Sequence, residues 1–157
     1  MKVDIGGGKE PREGYVNVDR YVIGPDVINA DAGDLPFPDN SIEAINSSHN
    51  LEHIEKRKVV PTLKEFYRVL QPGGVLEIEV PSLVWCCMNW LMHPDNGWNM
   101  DTIFGNQDDA GQFHYTGFTP EIMFDYLAQA GFTGSPIGSG YKWSHKQACL
   151  IFEVKKL

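Results

Sequence analysis

A recurring pattern of short apolar runs constrains this chain more than any other feature. The runs, most of them followed by glycine, aspartate or serine, lie at 3–5, 15–18, 27–30, 44–47, 75–80 and 149–154. Runs of this length with turn residues beside them are typical of strands that feed loops. Apolar residues at helical spacing separate several of the runs. Strands that alternate with helices predict a layered α/β fold with a mostly parallel sheet.

Three helices and a hairpin complete this pattern. Apolar residues at helical spacing predict a helix over 60–70 and a shorter one over 84–91. A third helix is better marked, because Thr119 suits an N-cap and Gly131 suits the left-handed residue that ends a helix. The last apolar run is expected to form the final strand, in a hairpin with the stretch after Phe132.

Length and charge narrow the classes of function. The 157 residues suffice for one hydrophobic core, so we expect a single domain over 1–157. The 21 acidic side chains outnumber the 13 basic ones and give a net charge of −8. Nucleic-acid binding depends on clustered lysine and arginine, and the pair Lys155-Lys156 is expected to be a solvated tail. The sequence therefore predicts no nucleic-acid partner.

The sequence also lacks the patterns of membrane and secreted proteins. No apolar run approaches the roughly 18–20 residues of a membrane span, and the first residues contain no apolar stretch of signal-peptide length. Three cysteines, two of them adjacent, give neither a disulfide framework nor a metal-ligand spacing. We therefore expect a cytoplasmic protein without a membrane partner.

A glycine loop and two acids follow the first three predicted strands. Gly6-Gly7-Gly8 comes directly after the first strand, where glycine lets the backbone approach a ligand across the strand ends. Asp19 ends the second run, where a carboxylate can accept both hydroxyls of a ribose. Asp31 ends the third, where it could accept the amine of an adenine. Together they predict an adenosine site, although the glycines by themselves are equally typical of a flexible turn.

The residues around the glycine loop favour one adenosine cofactor over the others. A dinucleotide needs its pyrophosphate at a helix N-terminus, usually with a third glycine. Here Glu10 and Pro11 stand at that point, and residues 6–15 leave room for about one helical turn. Glutamate would repel a pyrophosphate, whereas S-adenosylmethionine carries no phosphate and is cationic at sulfur. The loop therefore favours S-adenosylmethionine over NAD or FAD.

These motifs occur in the order seen in class I S-adenosylmethionine-dependent methyltransferases, and the chain resembles the type 11 group of that family over nearly its whole length. The resemblance is carried by 4–8 (DIGGG), 17–19 (NVD), 31–43 (DAGDLPFPDNSIE), 48–53 (SHNLEH), 68–74 (RVLQPGG), 114–121 (HYTGFTPE) and 130–132 (AGF). It implies a Rossmann-like three-layer sandwich with a seven-stranded, mostly parallel sheet whose last strand is antiparallel.

The same resemblance implies roles for individual residues toward the cofactor. Gly6 and Gly8 would flank the methionine moiety. Asp19 would bind the ribose, and the backbone of Ser48 would face the methionine amino group. The other predicted cofactor-binding residues are Asp4 and Gly7 in the loop, and Asp31, Ala32 and Leu35 around the adenine.

Two departures from the family pattern concern the cover of this site. The family usually places a full helix after the glycine loop and another helix before the first strand, and this chain lacks room for both. The fold is therefore expected to be shortened after the first strand. A second copy of the chain or its central segment would then cover the cofactor.

Methyl transfer mainly requires a positioned acceptor and, where needed, removal of a proton. His49 follows the fourth strand, near the expected methyl group, and is the first candidate for the base. His114 and His53 come second, and a structural hydrogen-bonding role is the alternative for each histidine.

The segment from His49 to His53 also reads H-x-x-E-H, a zinc-protease motif. That interpretation needs a long helix and a third ligand, whereas here the motif follows a strand and the downstream residues nominate no clear ligand. We therefore assign no metal. Some similar methyltransferases with an E-H pair after this strand bind a divalent ion, so Glu52 and His53 stay open as ligands.

The segment 81–117 is dense in aromatic residues and lies where this architecture usually recognises its acceptor. Trp85, Trp98 and Tyr115 are the predicted substrate-binding residues, with core packing as the alternative.

Two functions are consistent with the sequence. The first is S-adenosylmethionine-dependent methyl transfer to oxygen or nitrogen of a small or polar acceptor, for which a carbohydrate precursor is conceivable by family analogy. The second is a non-catalytic adenosine-binding or assembly module, which the missing cover and the trimmed loop would suit.

Overall fold

The computed structural model describes residues 1–132, 142–144 and 149–157. Its strands are β1 (Lys2–Ile5), β2 (Val16–Asp19), β3 (Val27–Asn29), β4 (Ile42–Ser48), β5 (Leu70–Pro81), β6 (Lys142–Ser144) and β7 (Cys149–Lys155). Its helices are α1 (Lys56–Val69), α2 (Leu83–Met92), α3 (Trp98–Phe104) and α4 (Pro120–Ala130). A short 3-10 turn (Leu51–His53) follows β4.

The strands form one sheet in the order β3-β2-β1-β4-β5-β7-β6. Strands β1 to β5 pair in parallel, and β7 is antiparallel to both β5 and β6. The predicted class, Rossmann-like and mostly parallel with an antiparallel last strand, is therefore confirmed. Pairing of β6 with β7 also fulfils the expected hairpin between the final strand and the stretch after Phe132.

Helices α1 and α4 lie side by side on one face of the sheet. Alternate strand residues point toward them, since successive side chains of a strand face opposite sides. The predicted ends of α4 are confirmed, because the Thr119 side chain accepts a hydrogen bond from Ile122 N and Gly131 adopts φ +108°. The buried core between helices and sheet includes Val3, Ile45, Val59, Leu63, Phe66, Leu76, Ile78, Met123, Leu127 and Phe152.

The other face of the sheet carries polar side chains. One row of paired residues crosses four strands there, formed by Asn17, Asp4, Asn46 and Glu77. The fold is also shortened after the first strand, as expected. The physical reason is connection length, because residues 6–15 run between β1 and β2 as turns and irregular chain instead of a helix.

Two local expectations also need correction. Lys156 is buried, with only 9% of its surface exposed, and its Nζ donates to Tyr67 O at 2.7 Å and Leu70 O at 2.8 Å. It is therefore not part of a solvated tail. Helix α3 was not predicted, because its seven residues are too few to show a helical period. Within the described residues, no helix is both long and apolar enough to cross a membrane.

Candidate functional site

The glycine loop folds tightly against the ends of β1 and β2. Gly6 N donates to Val18 O at 2.8 Å, and Gly6 has φ +76°, a conformation that glycine adopts without strain. A Cβ atom on Gly7 would lie 2.6 Å from Asn17 Oδ1 and 2.9 Å from Asp4 Oδ2. The loop therefore requires glycine at both positions, for backbone conformation at Gly6 and for space at Gly7.

Asp19 ties this loop to the end of β2. Its Oδ2 accepts from Gly8 N at 3.0 Å, while its Oδ1 accepts from Tyr21 N at 2.7 Å and Val22 N at 2.8 Å. A carboxylate has about four lone-pair sites, and three are used by these backbone donors. Asp19 as it stands therefore has capacity for one further hydrogen bond, fewer than the two ribose hydroxyls that the sequence suggests.

Asp4 differs from Asp19 because it is buried. Only 4% of its surface is exposed, its Oδ1 accepts from Asn46 Nδ2 and its Oδ2 from Arg12 N, both at 2.6 Å. Both carboxylate oxygens of Asp4 accept hydrogen bonds from the protein. Asp4 is therefore suited to hold the glycine loop in position.

The loop after β3 presents the residues predicted around adenine. Asp31 forms an ion pair with Arg20 at 2.6 Å and accepts from Gly33 N at 2.8 Å, which closes a tight turn. Ala32 packs against the core and Leu35 is buried, so this loop has a fixed apolar side. The Asp31 carboxylate is half exposed beside that turn.

A cleft of about 370 Å³ opens beside the glycine loop, over the carboxyl ends of β1, β4 and β5. Sequence reasoning identified Ser48 but missed Arg12, Glu77 and Glu79. The strict alternation of glutamate with apolar residues in β5 was the available signal, because it marks one polar face. The cleft is lined by Asp4, Gly6, Gly7, Glu10, Arg12, Asn46, Ser48, Glu77 and Glu79.

His49 lies at the end of β4 with φ +49°, in the left-handed region. Its Nδ1 contacts Glu52 Oε1 at 3.2 Å, and its Nε2 contacts Cys149 Sγ at 3.7 Å. Hydrogen bonds to Cys149 and Glu52 raise the pKa of His49 to about 11. A ring with that pKa is protonated at neutral pH, so this arrangement weighs against His49 as a proton acceptor.

His53 and His114 come together although 61 positions separate them. Their ring centroids lie 4.8 Å apart, edge to face. His53 Nδ1 lies 3.1 Å from Phe113 O, and His114 Nδ1 lies 3.2 Å from Thr102 O. Burial lowers the pKa of His114, which favours the neutral ring. The H-x-x-E-H segment lies in a 3-10 turn after a strand, which does not suit the zinc-protease interpretation.

The predicted substrate residues fall into two places. Trp85 of α2 and Trp98 of α3 meet edge to face with centroids 5.8 Å apart, and Trp98 keeps 46% of its surface exposed. Tyr115 instead lines a separate cleft with Lys56 and Tyr126, at the ends of α1 and α4. The structure thus brings the two tryptophans together but not the tyrosine.

Known proteins are similar to this chain in sequence and in fold. A family model described as a methyltransferase domain matches residues 9–78. The chain is 36% identical over 143 residues to the ubiquinone/menaquinone biosynthesis C-methyltransferase UbiE of Stenotrophomonas maltophilia, a match that covers 77% of this chain and 54% of that protein. The chain is therefore similar in sequence to methyltransferases, and it shares the fold of S-adenosylmethionine-dependent methyltransferases. This confirms the resemblance seen in the motifs, and S-adenosylmethionine is the cofactor of this methyltransferase family.

Other members of the methyltransferase family extend these comparisons. A UbiE protein of Chromobacterium violaceum is 43% identical over 68 residues, which cover 43% of this chain and 27% of that protein. The chain thus spans about a quarter to a half of these relatives. A methyltransferase of Thermotoga maritima, described as a possible histamine N-methyltransferase, matches with a TM-score of 0.67 and 16% identity over 100% of this chain and 82% of its own.

A second structure was solved with a bound cofactor product. It is the 1,6-didemethyltoxoflavin-N1-methyltransferase of Burkholderia thailandensis, with 1,6-didemethyltoxoflavin and S-adenosylhomocysteine bound. The TM-score is 0.66 and the identity 18%, over 99% of this chain and 70% of that chain. At such identity the likeness concerns the fold.

Proposed function

We propose that this chain binds S-adenosylmethionine at the carboxyl edge of β1, β2 and β4 and transfers its methyl group to a small-molecule acceptor. The observation that carries the proposal is the Gly6–Gly8 loop, folded against two strand ends and open to the adjacent cleft. The volume of this cleft, about 370 Å³, falls in the usual range of about 300–1,000 Å³ for small-molecule sites. Because a Cβ at Gly7 would collide with Asn17 and Asp4, glycine at this position keeps the loop in that shape.

The residues present fit the cofactor in the following roles. Gly6 and Gly8 would lie along the methionine moiety, and the backbone of Ser48 would meet its amino group. Asp19 would accept one ribose hydroxyl with its remaining lone pair, and a second only by releasing a backbone amide. The adenine would lie against Asp31, Ala32 and Leu35, while Asp4 and Gly7 would keep the loop in shape.

The chemistry of such a site depends mainly on alignment. S-Adenosylmethionine supplies a methyl carbon activated by its positive sulfur, so that the acceptor forms a bond to carbon as the carbon–sulfur bond breaks. The protein aligns the acceptor with that bond and provides an outlet for the acceptor's proton. Of the two histidines proposed as base, His114 is the better suited, since its pKa is lowered and that of His49 is raised to about 11.

The acceptor is proposed to be a small molecule with a planar ring. Trp85 and Trp98 offer an exposed aromatic surface between α2 and α3, and aromatic rings favour stacked or edge-to-face partners. The UbiE relatives are named as C-methyltransferases of quinone biosynthesis. We therefore add a ring carbon to the oxygen and nitrogen atoms that the sequence suggests as methyl acceptors. A ring compound is favoured over a carbohydrate as the acceptor molecule. Tyr115 would act only if the acceptor extended to the cleft at Lys56.

Calorimetry tests cofactor binding directly. We expect S-adenosylmethionine and S-adenosylhomocysteine to bind with one site per chain. Asp19→Ala should weaken binding by at least about tenfold through the loss of the ribose contact and the freed Gly8 amide. Asp26→Ala, at an exposed acid before β3, is the matched control and should leave affinity unchanged. The proposal is wrong if neither compound binds at millimolar concentration.

A labelled-methyl assay tests the transfer itself. With S-adenosylmethionine labelled in its methyl group, we expect label to move to demethylated quinone precursors or related hydroxylated rings, and mass spectrometry of the product separates carbon from oxygen methylation. Trp98→Ala should raise KM for the acceptor with little change in cofactor affinity. An unchanged KM would remove Trp98 from the acceptor site.

A non-catalytic binding module is the second candidate. One observation favours it, because Asp19 already uses three of its four acceptor sites for backbone amides. Binding of S-adenosylhomocysteine without any label transfer, across a panel of ring, amine and sugar acceptors, would favour this candidate over the enzyme.

A further inference from the structure

Three side chains that can ligate a metal converge beside the 3-10 turn. Glu52 and His53 are adjacent in the chain, and His114 arrives from the connection between α3 and α4. One ligand atom from each residue can be chosen so that all three lie within 4.8 Å of one another. Tetrahedral zinc ligands stand about 3.3–3.5 Å apart, so side-chain shifts of roughly 1 Å would close this set around an ion.

The backbone holds the two histidine-bearing segments in place. Glu52 O accepts hydrogen bonds from Tyr115 N at 2.8 Å and Thr116 N at 3.2 Å. The Thr116 hydroxyl donates to Ile54 O at 2.6 Å. The turn that carries Glu52 and the chain that carries His114 are therefore joined on both sides of the cluster. The cluster is consequently built by main-chain contacts, independent of any attraction among its own side chains.

Both imidazole rings are oriented as metal ligands usually are. His53 Nδ1 lies beside Phe113 O and His114 Nδ1 beside Thr102 O, and a carbonyl oxygen can only accept a hydrogen bond. Each Nδ1 therefore carries the proton, which leaves each Nε2 with a free lone pair. In metal sites a histidine commonly donates its other ring N–H to a carbonyl in this way.

Glu52 supplies the observation that points to a cation. Its carboxylate is 2% exposed, and Oε1 contacts His49 Nδ1. In the part of the chain that the structure describes, Oε2 is a buried oxygen without a hydrogen-bond partner. Leaving a buried carboxylate oxygen unpaired is costly, so such an oxygen needs an explanation. A cation between Oε2 and the two Nε2 atoms would satisfy it.

We propose that Glu52, His53 and His114 form a site for one divalent transition metal ion, with zinc as the best-suited ion. Two imidazoles and one carboxylate form the donor set of open zinc sites, which keep a fourth position for water or a substrate oxygen. This revises the expectation from sequence that no third ligand and no metal are present. The sequence did not indicate His114 as the third ligand because it lies 61 positions after His53.

A metal in this cluster could activate the acceptor, a step that rests on the proposed methyl transfer. A Lewis acid lowers the pKa of an oxygen bound to it, so an acceptor hydroxyl held in the fourth position would lose its proton to water. His114 would then hold the metal and would not serve as the base. Metal binding itself requires neither the cofactor nor the acceptor, so it can be tested alone.

The test is metal binding to the full chain after removal of metals with a chelator. Zinc titration by calorimetry and cobalt titration by absorption spectroscopy give stoichiometry and geometry. We expect one ion per chain and intense cobalt d–d bands of a four-coordinate site. Glu52→Gln and His114→Ala should each weaken zinc binding by at least about 100-fold, with circular dichroism showing that the variants fold. His53→Ala is a third variant in case one of these does not fold.

Two controls separate this cluster from other ligands. His93 is an exposed histidine at the end of α2, and His93→Ala should leave affinity unchanged. His49, Glu79 and Cys149 form a neighbouring set of potential ligands, so Glu79→Gln should also leave it unchanged. The proposal is overturned by the absence of stoichiometric zinc binding, or by folded Glu52→Gln and His114→Ala proteins that bind zinc as tightly as the unchanged chain. Failure of methyl transfer with metal binding intact would contradict only the proposed function.

Discussion

At the scale of single residues, the shape of the glycine loop depends on groups behind it. Asn17 and Asp4 occupy the space into which a side chain at residue 7 would project. Asn17 Nδ2 also donates to Gly8 O at 2.9 Å, so the loop is held from both sides. The acids that follow the strands therefore have unequal tasks: Asp4 supports the loop, whereas Asp19 both supports it and keeps one acceptor site for a ligand.

Gly7→Ala should distort the loop, because its Cβ would approach Asn17 Oδ1 to 2.6 Å. We expect at least about tenfold weaker S-adenosylhomocysteine binding by calorimetry, since a loop moved by even part of an ångström loses aligned backbone contacts. Gly97→Ala is the matched control, because a Cβ there meets no atom within 4 Å among the described residues. Equal affinities of the two variants would contradict the close packing assigned to Gly7.

At the scale of elements, one arginine explains why two distant motifs occur together. Arg68, near the end of α1, donates to Leu35 O at 3.2 Å and Phe37 O at 2.9 Å. It also pairs with Asp39 and Glu65, both at 2.6 Å. The loop proposed to frame adenine is thus held against α1. Arg68 of the segment 68–74 therefore stabilises the segment 34–39 that precedes β4.

Glu65 should give the protein a measurable acid sensitivity. The hydrogen bond from Arg68, helped by Leu35 N, lowers the pKa of Glu65. A carboxyl group with a lowered folded pKa contributes stability above its ordinary value of about 4.3, and this contribution is lost as pH falls through the folded pKa. Urea unfolding at pH 7 and pH 3.5 should therefore show a smaller acid-induced loss in Glu65→Gln than in the unchanged chain. A loss of equal size would contradict the pairing.

Lys156 fastens the last strand to the C-terminal end of α1. Its ammonium donates to Asn40 Oδ1 at 2.7 Å besides the carbonyls of Tyr67 and Leu70. Lys156→Met should lower the free energy of unfolding by about 2–3 kcal/mol, because buried carbonyls lose a charged donor. Lys155→Met, at the exposed neighbour, should change it by less than about 0.5 kcal/mol. Equal effects of the two changes would restore the solvated-tail interpretation.

At the scale of the whole molecule, the sheet carries helices on one face and a polar row on the other. That face includes the cleft of the proposed cofactor site. A surface that covers it must therefore present polar and charged groups as well as apolar ones. Cover by a second copy of the chain stays a proposal, as does cover by the segment 81–117.

S-Adenosylhomocysteine should stabilise the whole fold, because it would bind the folded state at strand ends that unfolding separates. At about 100 times its dissociation constant we expect about 2.7 kcal/mol of added stability, seen as a higher Tm. Sedimentation of the same samples checks the cover: a dimer that strengthens with ligand supports a second copy over the site. At the same ligand concentration Asp19→Ala should reduce the added stability to about half or less, and an unaltered thermal shift would contradict the assigned ribose contact.

The sequence by itself determined the class of fold, the ends of α4, the glycine loop and the acids at the strand ends. These follow from local rules: strand and helix periods, cap residues, and the fact that parallel strands bring their carboxyl ends to one edge. The similarity to methyltransferases was readable for the same reason, since the shared motifs lie at those strand ends.

Only the tertiary structure decided what depends on contacts between distant segments. It buried Lys156, placed Tyr115 in a different cleft from the two tryptophans, and raised the pKa of His49 through Cys149, 100 positions away. It also brought His114 beside Glu52 and His53, a set that no spacing in the sequence indicates. The physical reason is that packing and shared hydrogen bonds, unlike period and propensity, are properties of residues that meet only after the chain has folded.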